Sequence, residues 1–164
     1  MPNAARTNAA RTAGSSSATQ GERTRAAILD AALRLVSKAG LDGLTIGTLA
    51  AAPGMSKSGL FAHFGSRDGL LRAVLAHGQA QFGEVVFQPA MAKPRGLPRL
   101  RSLFVNWLDW TESAELPGGC PMIGGAAEFD DRPGPVRDML AGGQRTWIET
   151  LKRAVRQAIE ERQL

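Results

Sequence analysis

The sequence predicts an all-α fold, on three observations. Apolar residues recur at i, i+3, i+4 spacing in each long segment, the period of an amphipathic helix. No segment alternates apolar and polar residues as a half-buried strand would. Ser, Thr, Gly and Pro fall between the apolar runs, where they suit helix starts and stops.

In chain order, Ile28, Ala32, Leu35 and Val36 make the stripe of a helix over 22–39, and Gly40 is its expected C-cap. Thr45 can N-cap a short helix with Ile46, Leu49 and Ala50 on one face. Pro53 biases Ala52 away from the helical region and ends that helix, and Gly54 is free to turn. Ser56 is a second N-cap, starting a helix through about residue 62. Leu60, Phe61 and Phe64 are expected to face inward there, and Lys57, Ser58 and His63 outward. Ser66 caps a further helix, with Asp68 in its first turn favouring the dipole and Leu70, Leu71 and Val74 on its apolar face. That helix is expected to run to residue 87, and the breaker-rich 88–98 to form a loop. Leu100, Leu103, Phe104, Trp107 and Leu108 make an apolar face on a helix ending near Glu115. A turn at 116–119 and a short helix at 121–129 follow, the latter containing Gly124 and Gly125. Pro135 suits the first position of a long helix, along which Val136, Leu140, Trp147, Leu151, Ala154 and Ala158 recur. Glu149–Arg153 and Arg156–Glu160 are expected i,i+4 ion pairs on its outer face.

At 164 residues the chain allows one domain or two small ones, and 43% apolar content supports a packed core. The net charge of +5 is unevenly placed. Residues 1–21 hold Arg6 and Arg11 and no acid, 22–77 hold seven bases against four acids, and 78–164 hold eleven of each. The positive excess therefore lies in the first half, where it suits nucleic-acid phosphates. Cys120 is the only cysteine, so no intrachain disulfide forms and a reducing compartment suits the chain. No apolar run reaches the ~18–20 residues of a membrane helix, and the N-terminus lacks the apolar core of a secretory signal. A cytoplasmic protein with no membrane partner is expected. Residues 1–21, rich in Ala, Ser, Thr and Asn with no aromatic, read as a disordered basic arm able to lie along phosphates or in a minor groove. Their Arg and Ser content without acid gives a superficial likeness to a mitochondrial transit peptide.

The stretch T-I-G-T-L-A-A-A-P-G-M-S-K-S-G-L-F-A-H-F-G-S-R (45–67) sets two short helices about a Pro-Gly turn, the layout of a helix-turn-helix. A short helix opening with Ser56, Lys57 and Ser58 fits a major groove about 12 Å wide. On the residues alone, a helical hairpin with solvated Ser and Lys remains open. Enzyme chemistry finds little footing. G-M-S-K-S-G (54–59) is neither a G-x-S-x-G elbow nor a phosphate-binding loop. There is no H-E-x-x-H, C-x-x-C or dinucleotide fingerprint. Glu128, Asp130 and Asp131 lack a His or Cys ladder and read as caps and solvated charge, so neither metal nor cofactor is expected.

R-A-A-I-L-D-A-A-L-R-L-V-S-K-A-G-L-D-G-L-T (25–45), followed by L-A-A-A-P-G-M-S-K-S-G-L-F-A-H-F-G-S-R-D-G-L-L-R-A-V (49–74), resembles the TetR family of bacterial transcriptional regulators. L-P-G-G-C-P-M-I-G-G-A-A-E-F-D-D-R-P-G-P-V-R-D (116–138) resembles the ligand-domain signature of one subgroup of that family. The resemblance implies an N-terminal three-helix helix-turn-helix domain over 22–78 and a C-terminal helical effector-binding and dimerisation domain over 79–164. It places DNA contacts at Arg25, Thr45, Ser56, Lys57, Ser58, Phe61, His63 and Arg67, with His63 and Arg67 at phosphates. Pro53 stands where the family usually has a small residue, Gly59 where Thr is frequent, Phe61 where Tyr is commoner, and Arg67 at a family Lys. The chain stops within a helical pattern with no stop signal, short of the family's usual ending by roughly one or two helices.

Trp107, Trp110, Phe104, Met122, Phe129 and Trp147 would line an apolar cavity if the second domain binds a small molecule, with Cys120 also in the expected effector pocket; the other reading of aromatics at helical spacing is simple core. Cys120 reads as a buried, unreactive thiol. The function implied is a repressor that binds double-stranded operator DNA as a homodimer and leaves it when a small-molecule effector binds. The alternative is a helical interaction protein that binds no DNA, or a defective regulator fragment.

Overall fold

A computed structural model describes residues 19–51 and 55–164. The arm before residue 19 and the Pro53–Gly54 turn lie outside the described residues. Within them are eight α-helices and one π-helical segment, with no strand.

Helix α1 (Gln20–Ala39) starts two residues earlier than its apolar stripe suggests, because Thr19 and Glu22 form a capping box. The Thr19 hydroxyl accepts from the Glu22 amide at 3.2 Å, and the Glu22 carboxylate accepts from the Thr19 amide at 2.6 Å. Those bonds hold the Glu22 carboxyl below its usual pKa. Gly40 closes α1 at φ +73°. Helix α2 (Ile46–Ala50) is capped by Thr45, with Thr48 returning a bond to the cap amide. Helix α3 (Lys57–Phe64) is capped by Ser56, whose hydroxyl accepts from Gly59 at 3.1 Å.

In α3 the expected inward set is corrected at Phe61. Leu60 and Phe64 are buried, but Phe61 is 52% exposed. A one-residue step turns the helix by about 100°, so the i,i+4 pair takes the core side and Phe61 swings outward.

Helix α4 (Arg67–Phe82) is capped by Ser66 and passes without a break through a π-helical segment (Gly83–Phe87) into α5 (Gln88–Met91). Residues 88–91, expected as loop, are thus helical. Pro89 has no N–H to give to the preceding turn. The turn before it is of the wider kind, with the Gln88 amide donating to Gly83, and Asn106 Nδ2 separately donates to the Val86 carbonyl at 3.1 Å.

Helices α6 (Leu97–Thr111), α7 (Pro121–Glu128) and α8 (Pro135–Glu160) complete the chain. On α6, Leu103 and Trp110 are buried while Phe104 is 54% exposed, so the expected apolar face is rotated. The outer-face ion pairs of α8 also differ. Glu149 pairs with Lys152 at 2.8 Å, and Glu160 with Arg95 at 3.2 Å. α8 ends at Glu160, and the Gln163 side chain then accepts the first amide of α6, Leu97, at 2.6 Å.

Helix α4 is central, packing on α1 on one side and on α8 on the other. Leu33 and Val36 of α1, Leu71 and Val74 of α4, Trp110, Phe129 and Leu140 belong to one continuous buried cluster. Gly78 allows the α1–α4 approach, since a Cβ there would lie 2.9 Å from Leu33 Cδ1. No described helix is long and apolar enough to cross a membrane.

Candidate nucleic-acid interface and ligand cavity

The first site is built on α3. Its capped N-terminus presents Ser56, Lys57 and Ser58 to solvent, and Phe61 and His63 are exposed further along. Between α3 and the start of α1 runs a groove of about 480 Å³, bordered by Ser56, Gly59 and His63 on one side and by Arg23 and Thr24 on the other. Arg23 and Thr24 are groove residues that the motif did not reveal. The available signal was their place on the same α1 face as Ala27 and Ile28. Arg25 is exposed and lies over the Phe64 ring at 5.3 Å. Thr45 is held in its cap, its hydroxyl accepting from the Thr48 amide at 3.0 Å.

Arg67 is placed differently from a free phosphate ligand. Its guanidinium donates to the carbonyls of Leu44 and Leu41, both at 3.2 Å, and to Asp42 Oδ1 at 3.3 Å. It ties the α1–α2 loop to the start of α4. Sequence distance hides these bonds, because the acceptors lie 23 to 26 residues upstream.

The same loop is gripped from the C-terminal half. Glu128, at the end of α7, accepts from the Leu41 and Asp42 amides at 3.1 and 2.9 Å. Arg132, just beyond, donates to both oxygens of Asp42 at 2.8 and 2.7 Å. The Asp42 carboxyl is held below its usual range chiefly by the Arg132 hydrogen bond, with Arg67 contributing, and the Arg132 guanidinium is raised in turn. Arg34 on α1 pairs with Glu115, and the Gly118 amide donates to Ser37 Oγ at 2.7 Å.

The second site is a cavity of about 470 Å³ among α4, the π segment, α6, α7 and α8. Trp107, Cys120, Met122 and Trp147 line it. Phe104 does not: it points to solvent beside Trp107, with the ring centroids 5.9 Å apart. Trp110 and Phe129 do not line it either, being buried in the main core. Cys120 is half-buried rather than buried, and its sulfur accepts from Trp110 Nε1 at 3.5 Å. Phe82 and Phe87 complete the aromatic wall, packing edge to face at 5.4 Å. Residues five apart would diverge by about 140° on an α-helix; here the π segment brings them together. That is why helical spacing did not mark them. Trp147 meets both rings, at 5.4 Å from Phe82 and 5.5 Å from Phe87. No described cluster of His, Cys, Asp and Glu is arranged to hold a metal.

Two family models match this chain. "Bacterial regulatory proteins, tetR family" covers residues 28–74, and "Tetracyclin repressor-like, C-terminal domain" covers 96–164. The chain belongs to the TetR family. Among relatives, it is similar to the HTH-type transcriptional regulator AcrR of Shigella flexneri, at 30% identity over 98 residues. That match takes in 58% of this chain and only 45% of AcrR, so less than half of that relative's length is spanned. Among solved structures, a TetR transcriptional regulator from Chloroflexus aurantiacus superposes with TM-score 0.75 at 25% identity, over 87% of this chain and 72% of that one. AibR in complex with isovaleryl coenzyme A and operator DNA superposes with TM-score 0.67 at 27% identity, over 84% and 73%. These likenesses place the TetR-family fold on both halves of the chain.

Proposed function

We propose that this TetR-family chain is a cytoplasmic, non-enzymatic transcriptional repressor. It binds double-stranded operator DNA as a homodimer and is released by a small molecule held in the cavity. The observation that carries the reading is the capped α3 helix, with Ser56, Lys57, Ser58, Phe61 and His63 all facing solvent on the basic half of the chain. AibR, solved with both operator DNA and an acyl-CoA, supports it by likeness. Two copies of α3 would enter successive major grooves about 34–36 Å apart and read a near-palindrome. Arg25, Thr45 and Arg23 flank that helix as backbone contacts. Arg67 positions the loop before α2 rather than touching phosphate. A ligand against α4 and α7 would displace the Glu128–Asp42–Arg132 clasp and with it the helix-turn-helix. A coupling of about 1–3 kcal/mol gives a 5- to 150-fold loss of DNA affinity.

The test selects duplexes from a random library with the full chain and measures affinity by fluorescence anisotropy at rising salt. Expected is tight binding that weakens steeply between about 50 and about 200 mM salt, and that drops for a Lys57→Ala, His63→Ala double variant. Binding that ignores both salt and the double variant would mean a helical interaction protein instead.

A further inference from the structure

We infer that the cavity takes an uncharged, mainly apolar molecule with a flat ring, one that sits against the Phe82–Phe87–Trp147 wall and hydrogen-bonds to the Gln79 amide. This rests on the effector reading above and narrows it to a ligand class.

The lining carries no Asp, Glu, Lys, Arg or His among the described residues. A carboxylate or ammonium entering it would give up water without an opposite charge in the lining to meet. The volume of about 470 Å³ lies within the usual 300–1,000 Å³ of small-molecule sites. Its three-ring wall is edge to face, which leaves ring surfaces for stacking against a ligand. Gln79 Nε2 is anchored on the Met139 carbonyl at 3.3 Å, so its amide is a fixed polar point in an apolar wall.

A second observation concerns α8. Gly142 and Gly143 both line the cavity from the interior of a 26-residue helix, where glycine is less favourable than alanine. A Cβ on Gly143 would lie 2.9 Å from Gln79 Nε2. The missing side chain keeps the anchored amide accessible, at the expense of helix stability. Core packing alone would favour filling that space.

The test uses the full chain and three probes of one shape: 2-naphthol, 2-naphthoate and 2-naphthylmethylammonium, with isovaleryl coenzyme A as a fourth. Quenching of Trp107 and Trp147 and calorimetry report binding. Expected is saturable binding of the naphthol, at least about tenfold tighter than either charged probe. Gly143→Leu should abolish it with helical circular dichroism intact, and Ile123→Trp, at an exposed part of the lining, provides a second blockade. Equal or tighter binding of a charged probe or the acyl-CoA overturns the inference, as does no naphthol binding, or binding indifferent to both variants. The DNA assay separates the two readings. Salt-dependent DNA binding with a charge-preferring cavity sinks the ligand class alone, and naphthol binding by a chain that ignores DNA sinks the regulator alone.

Discussion

Arg67 and Lys57 are ten residues apart and both cationic, yet their surroundings assign them different work. Lys57 stands exposed at the start of α3. Arg67 directs its Nε and one terminal nitrogen to the Leu41 and Leu44 carbonyls and to Asp42. Substitution should separate them. Lys57→Ala is expected to leave the melting temperature unchanged and to lower the salt dependence of DNA affinity by about one phosphate contact. Arg67→Ala is expected to cost about 1 kcal/mol of stability, because charge-assisted bonds at a part-exposed guanidinium are worth less than buried ones. Its salt dependence should stay. Calorimetric melting and anisotropy titrations on both variants check this, and a reversed pattern would return Arg67 to the phosphates. The caps were legible in the sequence because Thr45, Ser56 and Ser66 bond to amides three residues away. Arg67's partners were not, since nothing local announces a bond to a carbonyl 26 residues back.

Among the elements, α6 and α3 show how far periodicity reaches. Both carry adjacent apolar residues, Leu103–Phe104 and Leu60–Phe61, so two neighbouring faces satisfy the helical pattern equally. Packing chose Leu103 and Leu60 and turned both phenylalanines outward. The π segment defeated periodicity in another way, by joining Phe82 and Phe87 on one wall. The α6–α7 connection is set more tightly than its turn-like sequence implies. Gly118 passes so close to α1 that a Cβ would lie 1.8 Å from the Ser37 carbonyl oxygen, a backbone atom that cannot swing aside. Gly118→Ala is therefore expected to destabilise the chain by about 1–3 kcal/mol through overpacking. The readout is a lower urea midpoint with unchanged slope, and an unaltered midpoint would show that the connection is loosely held.

For the whole molecule, the decisive arrangement is that the Glu128–Asp42–Arg132 clasp joins the C-terminal half to the loop before the helix-turn-helix. Asp42 titrates below the ordinary carboxylate range when folded, first through the Arg132 hydrogen bond. Its contribution is thus fully present above the unfolded value of about 3.9, and is lost as pH falls through the lower folded value. Thermal stability is expected to be unaffected by Asp42 titration between about pH 5 and about pH 8, and to fall below about pH 4 as Asp42 protonates. Asp42→Asn should flatten part of that acid limb in a melting series across pH; superimposable profiles would remove the clasp from the account. The shared buried cluster has a consequence for protein engineering. Leu33 and Val36 of α1 lie in the same core as Trp110, Phe129 and Leu140. Transplanting α1–α3 onto another TetR-family chain would carry half a core with them. A working chimera would have to bring along the recipient-facing side chains of α7 and α8, or rebuild them to match.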